Sequence, residues 1–202
     1  MYVTMVEVIL LIRSLVRIAN ELNKLNVNWA LGGSLMLFQY GLTEKAHDLD
    51  IMVELEDYKI ADAVLSSLGT KLKKREEKSL VYLTEHFNEY VVDGIDVDLM
   101  AGFQVSHEKG VYRYAFDELS MPESKWIDGI KINYAALEDW YVLYQLMSHG
   151  PLKANAIEHH LFKEGVKHPI LLERALRGNL PESVKNRIEG LLYQSHPEYK
   201  VI

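Results

Sequence analysis

Three short runs in this 202-residue chain hold residue types suited to phosphate and metal chemistry. Leu31-Gly32-Gly33-Ser34 reads as a strand breaking through a glycine turn into a helix. Glycines there admit close approach, backbone N–H groups opening a helix can receive phosphate oxygens, and Ser34 adds a hydroxyl donor. Asp48 and Asp50 follow in the alternating run to Val53, and Asp96 and Asp98 repeat the spacing further on. Residues two apart on a strand share a face, so each pair of acids projects together. Like charges a few ångströms apart repel by about 4 kcal/mol at the effective dielectric near a protein surface. A cluster of this kind therefore points to a retained proton or to a hard divalent cation held by carboxylate oxygens. Magnesium is the usual cation where a phosphate-bearing substrate supplies further oxygens.

The elements that must position these residues are legible in the pattern. From Thr4 to Leu25 the apolar residues Val8, Ile12, Leu15, Ala19, Leu22 and Leu25 recur at steps of three and four, which predicts an amphipathic helix. A short buried strand at 27–31 leads to the glycine turn, and a second helix follows with Ser34 as its cap and Gly41 at its end. Asp57 is placed to cap a third helix that Gly69 closes. Beyond it strands are expected at 79–84 and on either side of Asp93-Gly94, with a second Asp-Gly hairpin at Asp128-Gly129. From about residue 135 the period changes to that of helices, and four are expected, separated by Gly150-Pro151, His168-Pro169 and Gly178 to Pro181. The fold class is α/β (α+β): a domain over 1–134 with a short mixed sheet flanked by helices, and a C-terminal helical segment over 135–202 packed on it.

Composition narrows the partners. Twenty-nine acidic against 22 basic side chains leave a formal charge of −7, the wrong sign for neutralising many phosphates of extended nucleic acid. The absence of cysteine excludes disulfides, thiolate metal sites and cysteine nucleophiles. The apolar opening is interrupted by Glu7, Arg13 and Arg17 before it reaches a spanning length, so no membrane is expected and the protein reads as cytoplasmic.

The glycine turn Gly33-Ser34, the strand Asp48-Leu49-Asp50 and the later Asp98 resemble the signature of the DNA polymerase β-like nucleotidyltransferase superfamily. Asp96 is a rival for the third acid. The resemblance covers roughly residues 5 to 165 and extends to small nucleotidyltransferases such as the lincosamide and aminoglycoside enzymes and the nucleotidyltransferase antitoxins. It implies transfer of a nucleoside monophosphate from an NTP, ATP as first choice, to a hydroxyl of a small molecule or a partner protein, with pyrophosphate leaving. It also implies two Mg2+ ions, held by Asp48 and Asp50 with Asp98, or Asp96 in its place, at the catalytic ion. Gly32, Gly33 and Ser34 then grip the triphosphate. Lys153 stands where the family has a phosphate-binding lysine, but Ala154 and Asn155 replace the aspartate expected beside it.

Competing readings are bland or of another class. A Gly-Lys-Ser/Thr ending is missing after the glycine turn, which removes the main support for a kinase loop. A family member can also act as an antitoxin or binding module with little catalysis, and the same acids could serve a phosphohydrolase. Glu158-His159-His160 lacks the spacing that puts two imidazoles on one helix face. His47 reads as a loop histidine, Trp140 as core, and the basic run at 71–78 as a solvated segment, since two glutamates interrupt it.

Overall fold

The computed structural model describes residues 5–73 and 81–195. In chain order the elements are α1 (Met5–Lys24), β1 (Trp29–Leu31), α2 (Gly33–Gln39), β2 (Leu49–Val53), α3 (Tyr58–Leu68), β3 (Thr70–Lys71), β4 (His86–Val92) and β5 (Ile95–Ala101). They continue with β6 (Gln104–His107), β7 (Gly110–Arg113), β8 (Glu123–Ile127), β9 (Ile130–Tyr134), α4 (Leu137–Leu146), α5 (Pro151–Glu164), α6 (Pro169–Leu176) and α7 (Glu182–Ser195). The described residues divide into two compact units, drawn from Met1–Ser79, Thr84–Phe103 and Ala115–Ala135, and from Leu80–Leu83, Gln104–Tyr114 and Ala136–Ile202. Among them no helix is long and apolar enough to cross a membrane.

The first unit is built on a seven-stranded mixed sheet in the order β3-β4-β5-β2-β1-β9-β8. Two parallel pairings, β2 with β5 and β1 with β9, lie among antiparallel ones. Helix α1 packs against α3 and β9 and buries Leu11, Leu15, Ile18, Ala19 and Leu22. Leu25 is not part of that stripe, as the periodicity suggested, but 53% exposed. The helix ends at Lys24, and Asn26 turns the chain with a φ of 53°. Both Asp-Gly hairpins form as expected. Asp93 and Gly94 have φ of 53° and 81°, and Asp128 and Gly129 have 50° and 77°, which is the tight turn that matches strand twist.

One local expectation is corrected. Asp57 precedes α3 without a side-chain cap, because its Oδ2 accepts the backbone N–H of Asn28 at 2.7 Å and so ties the α3 start to the strand β1. Gly69 closes α3 in extended rather than left-handed backbone. It must be glycine for another reason, since a Cβ there would lie 2.2 Å from the Val91 carbonyl oxygen. The strand expected at 79–84 lies partly outside the described residues, and within them Tyr82 makes an isolated bridge to Val105.

In the second unit α4 packs against α5, α6, α7 and the β6–β7 hairpin. Its residues from Leu137 to Tyr144 are all buried, the signature of a helix at the centre of its unit. The acids on it are paired. Glu138 accepts the backbone N–H groups of Lys167 and His168 at 3.0 and 2.9 Å, and Asp139 accepts the Tyr114 hydroxyl at 3.0 Å and faces Arg174 at 3.3 Å. Glu158 on α5 receives Arg187 of α7 at 2.6 Å and the Tyr141 hydroxyl of α4, joining three helices at one carboxylate.

Burial alone raises the Glu158 carboxyl, but hydrogen bonds from Arg187 and Tyr141 outweigh it and hold the group below the ordinary glutamate range. A carboxyl depressed in the folded state contributes stability above its unfolded pKa, near about 4.3, and loses it as pH falls through the folded value. Glu158→Gln is therefore expected to be less stable than wild type at pH 7, with the gap closing below about pH 4. Urea midpoints for both proteins across that window measure the effect, and a gap independent of pH would refute it.

Candidate active site

The acids converge through strand pairing. In the parallel β2–β5 pair, Asp50 stands level with Asp98, so both carboxylates rise from one face of neighbouring strands about 4.8 Å apart. Asp48 lies in the bend just before β2, and its Oδ1 accepts the Ser34 hydroxyl at 3.0 Å. Ser34 is thus not the side-chain cap expected of it. Gly32 precedes α2 without a side-chain cap bond, and the serine hydroxyl is turned to the aspartate instead. This bond joins the glycine turn to the acid strand.

The turn itself is shaped around Asp50. The Gly32 N–H donates to the Asp50 carbonyl at 2.9 Å, which extends the β1–β2 ladder to the point where the chain leaves the sheet. Gly33 has a φ of +59°, and a Cβ built on it would fall 1.6 Å from Asp50 Oδ2. Only glycine leaves room for that carboxylate. Gly33, Ser34, Asp48, Asp50 and Asp98 therefore form one continuous patch.

Asp96 is two residues before Asp98 on β5. It is exposed and stands opposite Val91 of β4, before the stretch of β5 that pairs with β2. Lys153 belongs to the second unit, on α5, where its ammonium lies 4.9 Å from the centre of the Tyr144 ring. One acid escaped the sequence reading. Glu89 on β4 is the antiparallel partner of Asp98, so Glu89, Asp98 and Asp50 form a row across three neighbouring strands. The signal for it was present, because a two-residue turn at Asp93-Gly94 fixes the register and counting back from it pairs Glu89 with Asp98.

The donor set consists of carboxylate and hydroxyl oxygens, the kind a hard cation prefers. Among the described residues no three acidic or histidine side chains gather as a ready-made ligand group. That does not disqualify magnesium, which is bound through one or two carboxylates plus substrate oxygens and water rather than in an all-protein cage. The Asp50–Asp98 pair, with Asp48 beside it, fits that requirement.

A mixed sheet carrying a glycine turn next to paired acids of two neighbouring strands is the nucleotidyltransferase fold. Over 76% of this chain and 92% of the other, the structure is similar to a Thermotoga maritima protein assigned as a nucleotidyltransferase, at 26% identity and a TM-score of 0.55. The antigenic nucleotidyltransferase-like protein of Paracoccidioides brasiliensis shares the fold at 13% identity and a TM-score of 0.54, over 98% of this chain and 92% of that one. So does ANT(2'')-Ia, solved in complex with adenylyl-2''-tobramycin, at 12% identity and a TM-score of 0.50 over 87% and 92% of the two chains. A comparison with curated protein sequences returned no match. Residues 14–162 match the aminoglycoside-2''-adenylyltransferase family, and the chain belongs to it.

Proposed function

We propose that this protein is a Mg2+-dependent nucleotidyltransferase that moves a nucleoside monophosphate, AMP as first choice, from an NTP to a hydroxyl of an aminoglycoside. The observation that carries the reading is the fit of Gly33 to Asp50: a left-handed glycine whose Cβ position is filled by a carboxylate that stands level with a second one on the next strand. Membership of the aminoglycoside-2''-adenylyltransferase family supports an aminoglycoside as the acceptor. The row of Glu89, Asp98 and Asp50 supplies a reason for a cationic acceptor to approach.

In the reaction the acceptor oxygen bonds to the α-phosphorus as the bond from that phosphorus to the bridging oxygen breaks, and pyrophosphate leaves. Asp50 and Asp98, with Asp48, would hold the metal, which when bound neutralises developing charge on the phosphates and lowers the pKa of the acceptor hydroxyl. Asp98 accepts the proton released by that hydroxyl. The Gly32-Gly33 turn, which the Ser34–Asp48 hydrogen bond ties to the acid strand, orients the triphosphate beside the acids, which makes the displacement effectively intramolecular.

Thermal unfolding with ATP, GTP, CTP and UTP, each with and without magnesium, tests this. A nucleotide at a hundred times its dissociation constant is expected to add about 2.7 kcal/mol to the folded state. The gain should depend on magnesium and be lost in Asp48→Asn. Mass spectrometry of an aminoglycoside incubated with the stabilising nucleotide should then show one added nucleoside monophosphate. Stabilisation by no nucleotide would overturn the enzyme reading in favour of a family member acting through a partner protein.

A further inference from the structure

A second site lies in the first unit, at the other end of β1 from the glycine turn. A cavity of about 550 Å³ is bounded there by the last turn of α1, the loop into β1 and the β8–β9 hairpin. Five of its lining residues are asparagines, Asn20, Asn23, Asn26, Asn28 and Asn133, and the indole of Trp126 stands beside them. Among the described residues no acidic one lines it, in a chain of charge −7. The three residues of β1, spanning roughly 10 Å, separate Asn28 from Gly32, whose N–H joins the Asp50 strand.

Two features mark this cavity as built for a ligand. Trp126 is 72% exposed although it sits within a strand, leaving a flat apolar face in water. Two of the amides around it, those of Asn23 and Asn133, are held in place. Trp29 Nε1 donates to Asn23 Oδ1 at 2.9 Å while Asn23 Nδ2 donates to the Lys131 carbonyl at 2.8 Å, and Asn133 Nδ2 donates to the Trp29 carbonyl at 3.1 Å. An amide has two donor and two acceptor positions, so fixed amides with unused capacity present a preorganised array that suits groups which both donate and accept.

The electrostatics decide between ligand classes. Lys24 is paired with Glu21 at 2.7 Å and lies in the last turn of α1, whose free carbonyls carry partial negative charge. Lys131, across the hairpin from Trp126, is the cation left at the rim. A single lysine beside a helix C-terminus is a poor seat for a phosphate dianion. Hydroxyls for the amides and a C–H face for the indole are what a pyranose ring supplies. The geometry points to a neutral saccharide, stacked on Trp126 and hydrogen-bonded to the asparagines, bound independently of the nucleotide chemistry at the acids.

The side-chain amide signals of Asn23 and Asn133, followed by two-dimensional NMR on the full chain, test this. The probes are the methyl β-pyranosides of glucose and galactose, maltose, and inorganic phosphate. Expected are saturable shifts with at least one saccharide at a dissociation constant of about 1–10 mM, at least tenfold weaker in Trp126→Ala and retained in Trp126→Tyr, which keeps an aromatic face. Absence of saturating shifts with every saccharide, equal binding to Trp126→Ala, or tighter binding of inorganic phosphate would each overturn the assignment, the last in favour of an anion site.

Discussion

Asp50→Asn is expected to lower kcat for nucleotidyl transfer by about 10³-fold, roughly 4 kcal/mol of transition-state stabilisation, with the folded state preserved. The substitution keeps the shape of the side chain and the room beside Gly33, and removes only the charge. Asp50 is partly exposed and stands level with Asp98, so replacing one carboxylate by an amide also relieves repulsion between the two. The unfolding midpoint should therefore stay close to wild type or rise. Asp98→Asn is expected to match the loss of turnover. Glu89→Gln, which alters the same row without touching the Gly33–Asp50 fit, is expected to change kcat by less than about tenfold. A kcat within tenfold of wild type in Asp50→Asn would remove the carboxylate pair from the chemistry.

Local signals were readable in the chain, and long-range pairing was not. The Asp-Gly turns specify their own hairpins, because a tight turn of two left-handed residues suits few others. The change of period near residue 135 marked α4 to α7 for the same local reason. The hairpin β6–β7 offers no such signal: its strands are four residues each, and Glu108-Lys109 replaces the usual turn pair. Asp48, Asp50 and Asp98 were visible as candidates, but that Asp50 and Asp98 stand level depends on the parallel β2–β5 pairing between segments far apart in sequence. Ser34 shows the limit of a propensity argument. A serine at a helix start favours capping, yet here Asp48 offers a charged acceptor and takes the hydroxyl. Glu89 required only that the register of a correctly read hairpin be counted through.

Gly33→Ala should damage both stability and turnover, for two separable reasons. A φ of +59° disfavours any residue with a Cβ by about 1–2 kcal/mol. The added methyl would also lie 1.6 Å from Asp50 Oδ2, a collision that moves either the turn or the carboxylate. Gly41→Ala isolates the first term, because Gly41 has a φ of +70° with nothing within 4 Å of its Cβ position. It is expected to lose about 1 kcal/mol and to keep its activity. Gly33→Ala is expected to lose about 3 kcal/mol or more and to fall to the activity of Asp50→Asn, since the carboxylate is displaced in one and discharged in the other. Should Asp50 swing aside at little expense, the stability gap between the two alanine variants narrows, but the loss of turnover remains. Comparable stability together with full turnover in Gly33→Ala would show that Asp50 does its work from some other position.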